Sequence, residues 1–242
     1  MNILIPMAGA GSRFAQQGYK LPKPLIDVHG APMIRRCVDS LGLRGRYIFM
    51  IRKYDDRTHY SSLRGVLESM VDDPIIIEID KLTDGAACTC LLAKDYINND
   101  EPLMSANCDQ IMNWNPNDFL NCISDKDIHG CVVTYDCNSP KNSYIELDDH
   151  GHGVRLTEKD PISNFSLTGI HYWKKGRYFV ESAEKMIEED IRVNNEFYVA
   201  PTYNQMIKNG MIVTNYHIEN THFYPVGTPE DLQSYIQRHS KK

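Results

Sequence analysis

Apolar residues cluster in short runs at Asn2–Pro6, Arg46–Arg52, Pro74–Ile79 and Pro102–Cys108. Runs such as YIFMI and IIIEI lack the alternation of a half-exposed strand, so they read as strands covered on both faces. Between them the apolar positions recur at helical spacing, near Ala31–Leu41, Asp56–Val71 and Gly85–Tyr96. Gly42 suits the end of the first of these helices, because glycine takes the left-handed cap conformation without strain. Strand–helix alternation of this kind predicts βαβ units and a mostly parallel sheet. After Asn115 the pattern changes. Gly130–Cys137 is a long β-rich run, and Ser143–Leu147 and Val154–Thr157 flank Asp148-Asp149-His150-Gly151, which predicts a hairpin turn. Phe165–Trp173 and Ile212–Ile218 read as strands, Lys175–Glu189 and Pro201–Lys208 as helices. Thr228 is placed to cap a last helix with Pro229 at its first position. The predicted fold class is α/β: one domain over residues 1–242, a Rossmann-like, mostly parallel sheet flanked by helices, with an added β-hairpin. Residues 1–112 form one half of it and residues 113–242 the other.

Composition narrows the function classes. The chain has 242 residues, 42% hydrophobic and 24% charged, which is ordinary for a globular protein, and a formal net charge of −6. A mildly acidic chain is a poor nonspecific binder of nucleic acid, so any phosphate site must be a local concentration of Arg, Lys and backbone N–H groups. No apolar run is long enough to span a bilayer. The segment MNILIPMAGAG has no basic flank and is broken by Pro6 and Gly9, so it reads as a buried first strand rather than a signal peptide. The 7 cysteines are irregularly spaced within apolar runs, which predicts free thiols and a cytoplasmic setting. Cys88-x-Cys90 is too tightly spaced for a zinc knuckle and has no second pair.

The first strand runs into Gly9-Ala10-Gly11-Ser12-Arg13-Phe14, where glycines allow close backbone approach and successive N–H groups can make an anion nest. Phe14 stands where a dinucleotide fingerprint needs its third glycine, and no Gly-Lys-Ser/Thr closes a Walker loop. An ordinary strand-to-helix turn remains an alternative on these residues alone. Next, Leu21-Pro22-Lys23-Pro24-Leu25 holds a lysine between two prolines, on a stiff loop. Arg13, with a fork of donors, and Lys23, a point charge, would together neutralise a triphosphate. His150 and His152 flank Gly151 and read as surface turn residues.

This succession resembles the start of the sugar-phosphate nucleotidylyltransferases, and the resemblance continues along the chain. Gly85-Ala86-Ala87 is similar to the family's second base-contacting loop, Asn107-Cys108-Asp109 to its metal aspartate, and Glu158-Lys159, Asn164 and Thr168-Gly169 to its acceptor segment. Gly227-Thr228-Pro229-Glu230-Asp231-Leu232 is similar to its C-terminal signature. In detail the chain looks most like capsule-type members, which include heptose-phosphate and phosphoglutamine nucleotidylyltransferases. The resemblance implies in-line attack of an acceptor phosphate on the α-phosphorus of an NTP, with release of pyrophosphate and no protein nucleophile. Arg13, Lys23, Asp109 and Lys159 would carry catalysis. Met7, Ala8, Gly9, Ala10, Gly11, Asp80, Gly85 and Ala86 would bind the nucleotide, and residues 1–112 would be the nucleotide half. Asn107, Glu158, Lys159, Thr168, Gly169 and Glu196 would bind the acceptor. Asp109 would hold Mg²⁺, a hard cation suited to oxygen ligands and bridging phosphates. Ser143-Tyr144 and Asn195-Glu196-Phe197-Tyr198 look like pocket-lining segments.

Two positions depart from the family pattern. Pro225 stands where many members carry a second metal carboxylate, two residues before Gly227-Thr228. Asp80 stands five residues before Gly85, where uridylyl and thymidylyl members have glutamine. An ionised aspartate only accepts hydrogen bonds, which favours the amino group of cytosine first and the donor edge of guanine second. Implied partners are therefore CTP or GTP and a small phosphorylated acceptor: a sugar 1-phosphate, phosphocholine or phosphoglutamine. No nucleic acid or membrane is implied, and a homo-oligomer is left open. Rival readings are a metal-dependent glycosyltransferase, which Asp109-Gln110-Ile111 does not suit because an Asp-x-Asp pair is missing, and a noncatalytic nucleotide-binding regulator, which Pro225 favours.

Overall fold

The computed structural model describes residues 1–54 and 56–240. In chain order its first half runs through β1 (Asn2–Met7), α1 (Ser12–Gln16), β2 (Asp27–Val28), β3 (Ala31–Pro32), α2 (Met33–Leu41), β4 (Arg46–Arg52), α3 (Arg57–Met70), β5 (Ile75–Ile79), α4 (Ala86–Leu91), α5 (Lys94–Ile97) and β6 (Leu103–Ala106). The second half comprises β7 (Gln110–Met112), α6 (Pro116–Cys122), β8 (Ile128–Asp136), β9 (Ser143–Leu147), β10 (Gly153–Glu158), β11 (Phe165–Trp173), α7 (Gly176–Glu188), α8 (Tyr203–Lys208), β12 (Ile212–His217), β13 (Phe223–Pro225) and α9 (Pro229–His239).

Strands β6, β1, β4 and β5 lie side by side and parallel, as the continuous apolar runs require. Alternate residues of β1 serve opposite faces. Ile3, Ile5 and Met7 pack with α2, α3 and α6, whereas Leu4 and Ala8 join the core under α4, α5, α7 and α8. Strand β11 runs antiparallel to β6 and divides the sheet. Its C-terminal residues Ile170–Trp173 pair with β6, while Ser166 pairs with Tyr144 of the β9–β10 hairpin. Along its other edge lies β8, with β12 beyond it. The β8–β11 register shifts between Leu167 and His171, so Thr168 and Gly169 sit where the hairpin and the parallel strands part.

A third, smaller core locks the ends of the chain together. Phe14 of α1, Val28, Met33, Cys37 and Ile111 pack against Val226 and Leu232 of the C-terminal segment. Strand β13 pairs with β7, and Thr228 caps α9 by accepting from the N–H of Asp231. Gly42 closes α2 in the left-handed conformation, as its position in the sequence predicts. All seven cysteines are free thiols.

The span Gly85–Tyr96, expected as one helix, is two. Short-range bonds from Leu92 N to Thr89 O and from Ala93 N to Cys90 O tighten the turn after α4, burying Ala93 and leaving Leu92 outside. Likewise Ala31 and Pro32 belong to the β2–β3 ribbon, and the helix begins at Met33. Among the described residues no helix is long and apolar enough to cross a membrane. Because Thr228 satisfies the first turn of α9, Thr228→Ala is expected to cost about 1 kcal/mol, read as a lowered midpoint in urea unfolding.

Candidate active site

A cleft of about 250 Å³ opens at the C-terminal ends of β1 and β6. One wall is the loop after β1. Gly11 there has φ +63° and begins α1, and a Cβ on it would lie 3.4 Å from the Cβ of Lys23. The backbone N–H groups of Gly9, Ala10 and Gly11 donate to no acceptor among the described residues, which leaves them available to an anion. Met7 and Gly9 line the cleft with Lys23 and Pro24.

Lys23 begins a short 3₁₀ turn after Pro22. Its Nζ donates to Oδ2 of Asp109 at 2.5 Å, across the floor of the cleft. Burial by itself would lower the lysine pKa, but the negative charge and hydrogen bond of Asp109 more than offset that, and the pKa lies above its ordinary value. The ammonium is therefore firmly charged. Val226 donates its N–H to the carbonyl of Asp109 at 2.9 Å. Gly227 lies directly over the pair, and a Cβ there would stand 2.6 Å from Asp109 Oδ2. This is the steric reason for glycine at that position. Pro225 sits opposite Gln110 in the β7–β13 ladder and is exposed. Among the described residues no group of three or more His, Cys, Asp or Glu side chains could hold a metal.

Beside Asp109, Asn107 is exposed in the cleft, and its N–H donates to the carbonyl of Gly169. Thr168 is buried, with its hydroxyl donating to Val133 O and accepting from Ile170 N. Its side chain thus secures the register shift in β11.

A second cluster lies at the end of the hairpin. Lys159, with φ +58°, donates from Nζ to the Tyr198 hydroxyl at 2.5 Å and lies 4.6 Å from that ring's centroid. The Tyr198 hydrogen bond raises the lysine pKa against burial. Ser143 donates to Glu158. Burial raises the Glu158 pKa, and the negative charge of Glu196 adds to this, while Ser143 and Lys159 oppose it. Gly85, with φ +133°, has no room for a side chain, since a Cβ would sit 2.4 Å from Phe197 O. Phe197 donates to Asp84 O and accepts from Ala87 N, which stitches the Gly85–Ala86 loop to the Glu196–Tyr198 segment.

Two expected residues stand apart from these clusters. Arg13 is exposed on α1, beside Glu230. Asp80 is exposed after β5, with Oδ1 3.0 Å from Nζ of Lys53. Sequence reasoning passed over Gln110, a polar residue buried in the short strand QIM. Burial of one polar residue in a three-residue strand is visible only once β7 has been paired.

No family model matches the chain. The bifunctional protein GlmU of Methanococcus aeolicus is 26% identical over 174 residues, covering 71% of this chain and 39% of that protein. The UTP–glucose-1-phosphate uridylyltransferase AglF of Haloferax volcanii is 23% identical, covering 98% of this chain and 96% of its own. The structure of the nucleoside-diphosphate-sugar pyrophosphorylase from Vibrio cholerae RC9 superposes with a TM-score of 0.83 at 21% identity, covering 97% of this chain and 99% of that one. In sequence and fold the chain is similar to sugar-phosphate nucleotidyltransferases. It spans about two fifths of the length of the archaeal GlmU proteins that it matches. At this level of identity the likeness to the solved structure is one of fold.

Burial of Glu158 also makes the stability of the fold depend on pH. A carboxyl whose folded value exceeds its unfolded value near 4.5 stabilises the fold below that pH and loses this contribution as pH rises through the raised value. Glu158→Gln, which can still accept from Ser143, should gain stability relative to the parent as pH is raised from 4 to 7. Urea midpoints of both proteins across that range check this, and parallel curves would refute it.

Proposed function

We propose that the protein is a nucleotidylyltransferase that transfers NMP from an NTP to a small phosphorylated acceptor and releases pyrophosphate. The observation that carries this reading is the Lys23–Asp109 pair on the floor of the cleft, between the free amides of Gly9–Gly11 and the exposed side chain of Asn107. Transfer between two phosphates needs no protein nucleophile. It needs an anion cradle, fixed positive charge and in-line positioning. The Gly9–Gly11 amides and Arg13 would bind the leaving pyrophosphate, and Lys23 would neutralise charge at the reacting phosphorus. Lys159, oriented by Tyr198, would bind the acceptor phosphate, with Glu158 and Glu196 on its polar groups.

The donor set fits Mg²⁺ that arrives with the NTP. Asp109 offers one carboxylate, Pro225 offers nothing, and Gly227 leaves no space for another side chain. Magnesium tolerates few protein ligands when phosphates and waters complete its octahedron. Bound there, it would supply further neutralisation of the phosphate charge.

For the base, we favour CTP over GTP. The exposed Asp80–Lys53 pair presents an acceptor beside a donor, which complements the amino and ring-nitrogen edge of cytosine. The mirror arrangement on guanine also satisfies it. A sugar 1-phosphate is the acceptor favoured, with phosphoglutamine or phosphocholine as alternatives, and a role in capsule or surface polysaccharide synthesis in the cytoplasm follows from the capsule-type resemblance. Pro225 favours one second reading, a nucleotide-binding protein that does not turn over.

Pyrophosphate release with Mg²⁺, over CTP, GTP, UTP, ATP and dTTP against sugar 1-phosphates, phosphocholine and phosphoglutamine, tests these readings. Release with CTP exceeding that with GTP is expected, and Asp109→Asn and Lys23→Ala should each lower kcat/KM by about 10²–10³-fold. Preference for UTP or dTTP would remove the base assignment. Tight NTP binding without release for any acceptor would favour the noncatalytic reading.

A further inference from the structure

Residues 190–198 form a bracket against the Gly85 loop. Asn194 and Asn195 have φ +49° and +64°, and Val193 and Glu196 exchange backbone hydrogen bonds at 3.0 Å in each direction, so the segment closes on itself in a two-residue hairpin turn. Asparagine tolerates this left-handed conformation better than most residues. Phe197 follows the turn and is buried. Its N–H donates to Asp84 O at 2.8 Å, and its carbonyl accepts from Ala87 N at 3.0 Å. Arg192 closes the bracket from outside. Its Nε donates to Oδ1 of Asp190 at 2.5 Å, and its Nη1 donates to Asn195 O at 3.3 Å. Nη1 also lies 3.7 Å from Oδ2 of Asp84, and Cζ stands 4.0 Å from the centre of the Phe197 ring. One planar cation therefore touches the turn, the ring behind it and the carboxylate that precedes Gly85. Both aspartates are exposed, so as ion pairs these contacts add little stability. The stack on Phe197 needs the plane of a guanidinium, which a lysine lacks.

We propose that Arg192 is a positioning residue that couples the two substrate subsites, holding the Gly85 loop and the Glu196–Tyr198 segment as one body so that filling either subsite orders the other. This rests on the nucleotidylyltransferase reading, which sets the base against Gly85–Ala86 and the acceptor beside Glu196 and Lys159, and deepens it. Arg192 need touch neither substrate. A nucleotide closing on Gly85–Ala86 fixes Asp84 and the Ala87 amide, and these hold both ends of the Phe197 backbone. Glu196 and Tyr198 flank Phe197 in sequence, and the Tyr198 hydroxyl accepts from Lys159 Nζ at 2.5 Å. With Arg192 pressed on the ring and tied to the turn, a shift on one side is carried to the other. The route runs equally in reverse, as any coupling between two bound ligands must.

Calorimetric titration tests this without turnover. The probes are the α,β-methylene analogues of CTP, GTP, UTP, ATP and dTTP, which cannot release pyrophosphate, and the tightest-bound of them is titrated with and without glucose 1-phosphate. In the parent, glucose 1-phosphate should tighten the analogue roughly tenfold, and the analogue should tighten glucose 1-phosphate by the same factor. Arg192→Met keeps an apolar stem over Phe197 and loses the plane and the charge. In this variant the Kd of each ligand alone should stay within about threefold, and the mutual tightening should fall to about twofold or less. A merely structural role would weaken the two ligands separately and leave their mutual tightening as in the parent, which overturns the proposal. So does a parent that binds an analogue and shows no tightening with glucose 1-phosphate. Either result leaves the transfer reading standing. A parent that binds no analogue at all removes the transfer reading, and the coupling with it. Should Arg192→Met fail to fold, Arg192→Gln takes its place under the same outcomes.

Discussion

The ion pair between Lys23 and Asp109 joins four parts of the chain that are remote in sequence. Lys23 comes from the stiff turn after α1, Asp109 from the end of β6, Val226 binds the carbonyl of Asp109, and the loop after β1 leans on the lysine through Gly11. Both charges are largely withdrawn from water, with side chains 19% and 27% exposed. Such a pair adds little net stability, yet removing one member strands the other charge. Its value here is geometric. It fixes a cation and a carboxylate beside the unpaired amides of Gly9–Gly11, so that in the proposed reaction phosphate charge would meet groups already in place. The absence of a side chain at Gly227 follows from the same pair, because the C-terminal segment must pass over it without touching the carboxylate.

The division of the sheet at β11 has a corresponding role. Four parallel strands bring the loops after β1 and β6 to one edge, where their ends offer unpaired N–H groups and the Asn107–Asp109 turn. The β9–β10 hairpin carries Glu158 and Lys159, and β11 is the strand shared by the hairpin and the parallel half. Gly169 lies at the junction. The Gly85 loop and the Glu196–Tyr198 segment are tied by reciprocal backbone hydrogen bonds across Phe197, so the loop assigned to the base and the segment assigned to the acceptor cannot move independently.

Much of this was legible in the sequence, for identifiable reasons. Strands covered on both faces show as unbroken apolar runs, and β1, β4 and β5 lie where those runs fall. Caps carry fixed chemistry, so Gly42 and Thr228 mark the ends of α2 and α9 correctly. The glycines in the loop after β1 and the lysine between prolines, singled out in the sequence, line one cleft. What was hidden depends on contacts between distant residues. The break after Leu91 follows from packing Ala93 into the core, and periodicity alone runs straight through it. The pairing of Asp80 with Lys53 joins the ends of two neighbouring strands that only the sheet brings together. Thr168, which looks in sequence like a ligand-facing hydroxyl, spends its oxygen on the backbone at the register shift.

Pro225 shows how the two levels meet. Read in sequence, it is a missing carboxylate. In the fold it ends the short strand β13, opposite Gln110 on β7. A proline is tolerated at the end of an edge strand because the ladder does not need the donor it lacks. Pro225 is exposed, and the cleft is lined instead by Gly9, Gly11, Lys23, Asn107 and Asp109. Among the described residues Asp109 is the one carboxylate tied to Lys23. In the proposed reaction charge neutralisation would then rest on Lys23, the backbone amides and a cation brought in with the phosphates, which is consistent with a cleft whose walls carry so few ionisable groups.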